Sequence, residues 1–206
     1  MRKLIVLAGA CALFVPLALV PTSVAGQAVT QTLNPPPPPE YTCQAMAAVT
    51  VCHAQDSFAY GASDTGLVCG SGANAFDIFD SAAVAETKTR FYDRNGNLTE
   101  RLVHQDYSGG EFSNPQTGAV VPYTQHDTIT NVLAVPGDLS TATETTLGEN
   151  IFRDPVTHQV VNLNAGRVVR APDGSLEFRA GPQAFADYFG GDTSAFDQLC
   201  AALAAS

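Results

Sequence analysis

The sequence predicts an all-β domain: an antiparallel up-and-down barrel of about eight strands, with short helices at its C-terminal end. Three observations carry that prediction. Val84 to Tyr92 alternates small or apolar residues with charged ones, the period of a half-buried strand. Turn chemistry recurs at hairpin spacing, at Asp93-Arg-Asn-Gly-Asn97, Asn114-Pro-Gln-Thr-Gly118, Pro136-Gly-Asp138, Asp154-Pro-Val-Thr-His158 and Ala171-Pro-Asp-Gly174. In such turns Gly and Asn accept positive φ and Pro presets its own φ. The connections between strand candidates are short, which favours antiparallel neighbours. Closing the meander into a barrel would remove its edges; a two-sheet β-sandwich is the alternative.

Taken in order, the chain begins with an export signal. Arg2 and Lys3 precede an apolar run, Leu4 to Val20, and Ser23-Val24-Ala25 supplies the small residues of a cleavage site after Ala25. Gly26 to Glu40 contains five consecutive prolines, Pro35 to Pro39, and reads as a stiff polyproline tether. Residues 41–72 form a disulfide-bearing segment, within which Gln44 to Val51 suits a helical turn or a short strand and Gly61 to Gly72 reads as loop. The barrel domain is expected over residues 73–206. Its strand candidates are Ala73–Asp80, Val84–Tyr92, Leu98–Tyr107, Glu111–Ser113, Ala119–Tyr123, Gln125–Val135, Thr141–Arg153 with Gly148 as a bulge, Gln159–Arg170 and Ser175–Ala180. After Gly181-Pro182, two short helices follow at Gln183–Phe189 and Thr193–Leu203. Asp192-Thr193-Ser194 provides helix-start chemistry, and Phe196, Leu199, Cys200 and Leu203 share one face.

Charge and cysteines narrow the setting. The chain carries a formal charge of −10, and loss of Arg2 and Lys3 with the signal takes it to −12, with Lys88 the remaining lysine. That balance argues against nucleic acid and anionic membrane surfaces as partners, since both require a cationic footprint. Four cysteines stay after cleavage: Cys43, Cys52, Cys69 and Cys200. An even count behind an export signal points to disulfides and a secreted, extracellular location. Three pairings exist and the sequence does not choose among them. Cys43–Cys52 with Cys69–Cys200 is the preferred one, a short local loop plus a staple from the last turn to the entrance of the strand region. A metal site from Cys43, Cys52, His53 and Cys69 lacks the close Cys-x₂-Cys pairs of zinc centres, so neither metal nor cofactor is expected.

Motifs that could carry chemistry are few. Asp93-x-Asn95-x-Asn97 has calcium-loop donors, but Gly96 falls fourth and His104 twelfth, where that loop needs Gly sixth and Glu twelfth. Gly70-Ser71-Gly72 lacks the nucleophile-elbow pattern. His104 and Asp106 share one strand face and His126 lies on a nearby strand, so these three are the catalytic candidates if their faces point inward. Arg90, Arg101, Arg153, Arg167, Arg170 and Arg179 suit cross-strand ion pairs on the exterior with neighbouring glutamates, or, as the sharper option, a lumenal anchor for a ligand carboxylate.

Several segments together resemble small secreted actinobacterial proteins of unknown activity. They are Phe91-Tyr-Asp-Arg-Asn-Gly-Asn97, Asn114-Pro115 with Thr117-Gly118, Gly166-Arg-Val168 leading to Pro172-Asp-Gly174, Ala180-Gly-Pro182, and Leu199-Cys-Ala-Ala-Leu203. The resemblance covers roughly residues 84–204 and implies a calycin-like barrel and a Cys69–Cys200 bridge; it offers no catalytic residue. Three functions are then expected in descending order. The first is a barrel holding a small apolar or amphipathic molecule. The second is a cell-envelope interaction protein presented on the proline tether. The third is a barrel-type isomerase or cyclase acting through lumenal polar residues.

Overall fold

The computed structural model describes residues 31–205; the expected signal peptide lies outside the described residues. Eight strands form one antiparallel sheet in sequence order: β1 (Thr42–Met46), β2 (Val49–Cys69), β3 (Phe76–Tyr92), β4 (Leu98–Ser113), β5 (Val120–Leu133), β6 (Ala142–Arg153), β7 (Val160–Arg170) and β8 (Leu176–Ala180). Helix α1 (Ala184–Phe189), a 3-10 turn over Thr193–Phe196 and helix α2 (Asp197–Ala204) complete the chain. The all-β meander and its C-terminal helices thus form as expected, and so do both disulfides, Cys43–Cys52 and Cys69–Cys200.

Strands expected as separate pieces are continuous. Leu98–Tyr107 and Glu111–Ser113 belong to one β4, because Ser108-Gly109-Gly110 is absorbed as a register shift opposite β5 rather than ending the ladder. The stretch expected as loop, Gly61 to Gly72, is mostly the second half of β2. It pairs Ser63 with Asp80 and Cys69 with Phe76 across two irregularities. Residues 41–72 therefore supply the first two strands of the sheet instead of a segment ahead of it. Gly148 is not a bulge: the β5–β6 register runs unbroken from Tyr123↔Phe152 to Leu133↔Ala142.

The sheet rolls without closing. Strands β1 and β8 are its edges and do not pair with each other. The roll is visible in Tyr60 of β2 and Tyr123 of β5, three strands apart, whose hydroxyls stand 3.4 Å from each other; in a flat sheet their backbones would be separated by about 14 Å. One end of the roll is filled by Leu67, Ile78, Phe112, Val121 and Phe152 against Phe196, Leu199 and Leu203 from the helical tail. The apolar stripe seen in the sequence is that contact. The Cys69–Cys200 bridge and the Tyr188 hydroxyl, which accepts from the Val68 amide at 2.8 Å, tie the tail to the end of β2.

The other end is covered by the residues that precede β1. Asn34 bridges to Asn97, its amide donating to the Gly96 carbonyl and its carbonyl accepting from Leu98, both at 2.8 Å. The Tyr92 hydroxyl donates to the Pro35 carbonyl at 3.0 Å. Leu33 and Tyr41 pack on buried Cys52, Tyr92, Leu98 and Leu133. The described part of the expected tether is therefore docked on the fold. Proline lacks the amide that would have continued a strand, and the run crosses the end of the roll instead.

Candidate functional site

Because strand side chains alternate between faces, directly paired residues share one face, and the register spells out the interior in rows. One row reads Cys52, Arg90, Arg101, Asn131, Glu144, Arg170 from β2 to β7; the next, Ala54, Lys88, Val103, Ile129, Thr146, Val168. Below them come Asp56, Glu86, Gln105, Asp127, Gly148, Gly166, and then Phe58, Val84, Tyr107, Gln125, Asn150, Asn164. A polar band thus lies between the two apolar ends.

His104, Asp106 and His126 have the opposite parity. Asp106 pairs with His126 across β4 and β5, and the His126 Nδ1 stands 2.6 Å from the Asp106 Oδ1. His104 Nδ1 sits 2.9 Å from the Thr128 hydroxyl. These groups do come together, but on the outer face, where the Asp106 and His126 side chains are 68 % and 59 % exposed. Their expected lumenal role is corrected: a shift of one residue separates them from Gln105, Tyr107, Gln125 and Asp127, which face inward. Cys43, Cys52, Cys69 and Cys200 are consumed by disulfides, and among the described residues no three or more His, Cys, Asp or Glu side chains are grouped to hold a metal ion.

The inner cavity toward the helical end has a volume of about 390 Å³. Its floor is aromatic: Phe112, Phe185 and Phe189 contribute, and the Phe152 ring packs tilted against two of them, its centroid 4.6 Å from that of Phe112 and 6.1 Å from that of Phe185. Polar groups form its walls. Asp80 of β3 accepts from both flanking tyrosines, Tyr60 at 2.6 Å and Tyr123 at 2.9 Å. Burial, then the bond to Asp80, pushes the Tyr60 hydroxyl up to about 12. Burial also raises Tyr123, followed by its contacts to Tyr60 and Asp80. Both phenols are held as neutral donors at physiological pH.

A second network runs across β5 and β6. Asn150 donates to the Gln125 carbonyl at 2.8 Å, and the Gln125 amide donates to Asp127. Burial raises the Asp127 carboxyl above the usual range, against the lowering effect of that Gln125 bond. Gly148 makes the arrangement feasible, since a Cβ there would collide with the Asp127 carboxylate. Burial raises Tyr107 as well, with the nearby carboxylates of Asp127, Glu86 and Asp80 adding to it.

A second concavity, about 430 Å³, opens toward the N-terminal end and is lined by Glu40, Tyr41, Glu86, Lys88, Arg90, Arg101 and Glu144. Lys88 pairs with Glu86 at 2.6 Å, which raises the lysine. Arg90 and Arg101 face each other directly, and among the described residues neither makes an ion pair. Arg90 lies over the Tyr41 ring at 5.0 Å, and its Nε is buried without a partner. These two arginines thus occupy the interior, not the exterior ion pairs expected of them. A larger concavity, about 520 Å³, lies beside the Cys69–Cys200 bridge, and Asp197 is its one charged lining group. The inner cavity, with two carboxylates and an unpaired buried amide oxygen in its wall, is the better candidate.

Sequence reasoning missed Tyr60, Asp80, Gln125, Asp127 and Asn150. Tyr60 lies next to a stretch taken for loop. Gln125 and Asp127 alternate with equally polar His126 and Thr128, so polarity gives no parity.

No family model matches the chain. No curated protein and no solved structure matches it either.

Proposed function

We propose that the protein is an exported carrier or receptor that binds a small amphipathic molecule inside the rolled sheet, between the aromatic floor and the polar wall. The observation behind this is the roughly 390 Å³ cavity, in which Phe112, Phe185 and Phe189 meet Asp80, Gln125, Asp127 and Asn150. A cavity of that size and mixed lining suits a molecule with one apolar and one polar end. Two disulfides fit an oxidising compartment and so an extracellular site of action. The outward position of His104, Asp106 and His126 removes the acid–base group on which an isomerase would have drawn.

N-phenyl-1-naphthylamine, a neutral fluorophore that brightens in apolar surroundings, tests the proposal. It should brighten with saturable binding to the folded protein. Thr146→Trp, which places an indole in the cavity, should abolish the signal while leaving the melting temperature and far-ultraviolet spectrum near native. Absence of brightening, or equal brightening in the variant, sinks the proposal.

A further inference from the structure

The cavity is one-sided in its hydrogen-bonding chemistry. Among the described residues no lysine, arginine or histidine lines it, whereas the carboxylates of Asp80 and Asp127 do. Asp80 is satisfied by its two tyrosines. Asp127 receives one side-chain donor, at Oδ2 from Gln125, and among the described residues no cation lies within ion-pair distance of it. Carboxylates alone would not identify a ligand.

Asn150 provides a separate indication. It is 6 % exposed, lines the same cavity, donates through Nδ2 to Gln125, and has an Oδ1 with no partner. A buried acceptor left unpaired is costly, so that wall favours a ligand that brings a donor. Gln125 and Asp127 fix the orientation of the Asn150 amide: reversing it would set its oxygen against the Gln125 oxygen, and reversing both amides would set the Gln125 oxygen against the Asp127 carboxylate.

We infer that the ligand is an amphipathic primary or secondary amine, its ammonium donating to Asp127 and the Asn150 carbonyl and its apolar body lying on Phe112 and Phe185. This rests on the cavity-binding proposal above and names the chemical class. An ammonium is the group that fits on each count. It brings donors and no acceptor, and it supplies a countercharge to Asp127. A ligand carboxylate would meet two like charges and an unpaired acceptor there.

Three probes that share one skeleton test the inference: 3-phenylpropylamine, 3-phenylpropanol and 3-phenylpropanoate, each titrated against bound N-phenyl-1-naphthylamine on the full folded protein at neutral pH. The amine should displace the dye at a concentration at least about tenfold lower than the alcohol, with the carboxylate weakest. Asp127→Asn preserves shape and hydrogen bonding while removing the charge, and should bring amine and alcohol within about twofold. Its melting temperature, unchanged or higher, would show that the fold survives the substitution. If the alcohol matches the amine, if the carboxylate binds best, or if no probe displaces bound dye, the amine assignment is overturned and the cavity reading stands. An amine preference that persists in Asp127→Asn overturns the assigned partner. If the dye itself does not bind, the cavity reading fails first.

Discussion

The two ends of the rolled sheet are closed by the two segments that flank it in sequence, and they are built differently. At the C-terminal side a large aromatic cluster, with Phe112, Tyr123, Phe152, Phe185 and Phe196 in successive ring contacts, is covered by helices and fastened by a bridge spanning 131 residues. At the N-terminal side four buried residues are covered by an extended proline-rich segment, and the bridge spans 9 residues. The first end is a core in the ordinary sense. The second is a cap on a polar lumen, held by backbone hydrogen bonds from Asn34 and by the Tyr92 hydroxyl. Folding free energy is thus concentrated beneath the candidate binding cavity, leaving the opposite end free to hold charges that a core would reject.

The disulfides test that asymmetry most strongly. In the loop-entropy model, replacing Cys69 and Cys200 with serine should cost about 4–5 kcal/mol, and replacing Cys43 and Cys52 about 2.5 kcal/mol. Equilibrium denaturation of the two double variants compares them directly. Equal losses would mean that the long bridge adds little beyond the packing of Leu199 and Leu203, which are fully buried.

Side-chain truncation should rank the same way. Phe152 is 0 % exposed and touches Phe112, Tyr123 and Phe185, so Phe152→Ala should lose about 3–5 kcal/mol. Leu98→Ala, also at a fully buried site, should fall toward the lower end of about 2–5 kcal/mol, because the extended segment above it can settle into the space. A larger loss at Leu98 than at Phe152 would reverse the assignment of core and cap.

How far this organisation could be read in advance depended on the kind of signal. Turns were legible because they require particular residues: Gly96, Gly118, Gly137 and Gly174 all take positive φ, and each was placed in a turn from sequence. The helical stripe was legible because a periodicity of 3.6 survives in eleven residues. Strand β2 was not, since Gly61 to Gly70 is small, polar and interrupted twice in register, and its pairing is supplied by β3 rather than by its own propensity. Inner and outer faces were illegible for a related reason. Where a lumen is polar, alternation places polar residues on both sides, and His104, Asp106 and His126 cannot be told from Gln105, Tyr107 and Asp127 by hydropathy. Gly148 did carry information, though of another kind than a bulge: it is the space into which Asp127 fits.

The smallest effect concerns the charges at the cap. Arg90 and Arg101 are directly opposite on β3 and β4, on the inner face, without an ion pair among the described residues. Like charges in that position destabilise by roughly 0.2–1 kcal/mol. Arg90 is held by the Tyr41 ring, so Arg101 is the one to change. Arg101→Gln should raise stability by about 0.5 kcal/mol in urea denaturation at low salt. The gain should shrink as salt screens the pair in the wild type, and Arg101→Lys, which retains the charge, should show none. A loss on Arg101→Gln would mean that Glu144 and Glu40, which line the same concavity, attract Arg101 more than Arg90 repels it. The cap would then be an internally balanced set of charges, and the contrast between a stabilising core and a merely tolerated charged end would weaken accordingly.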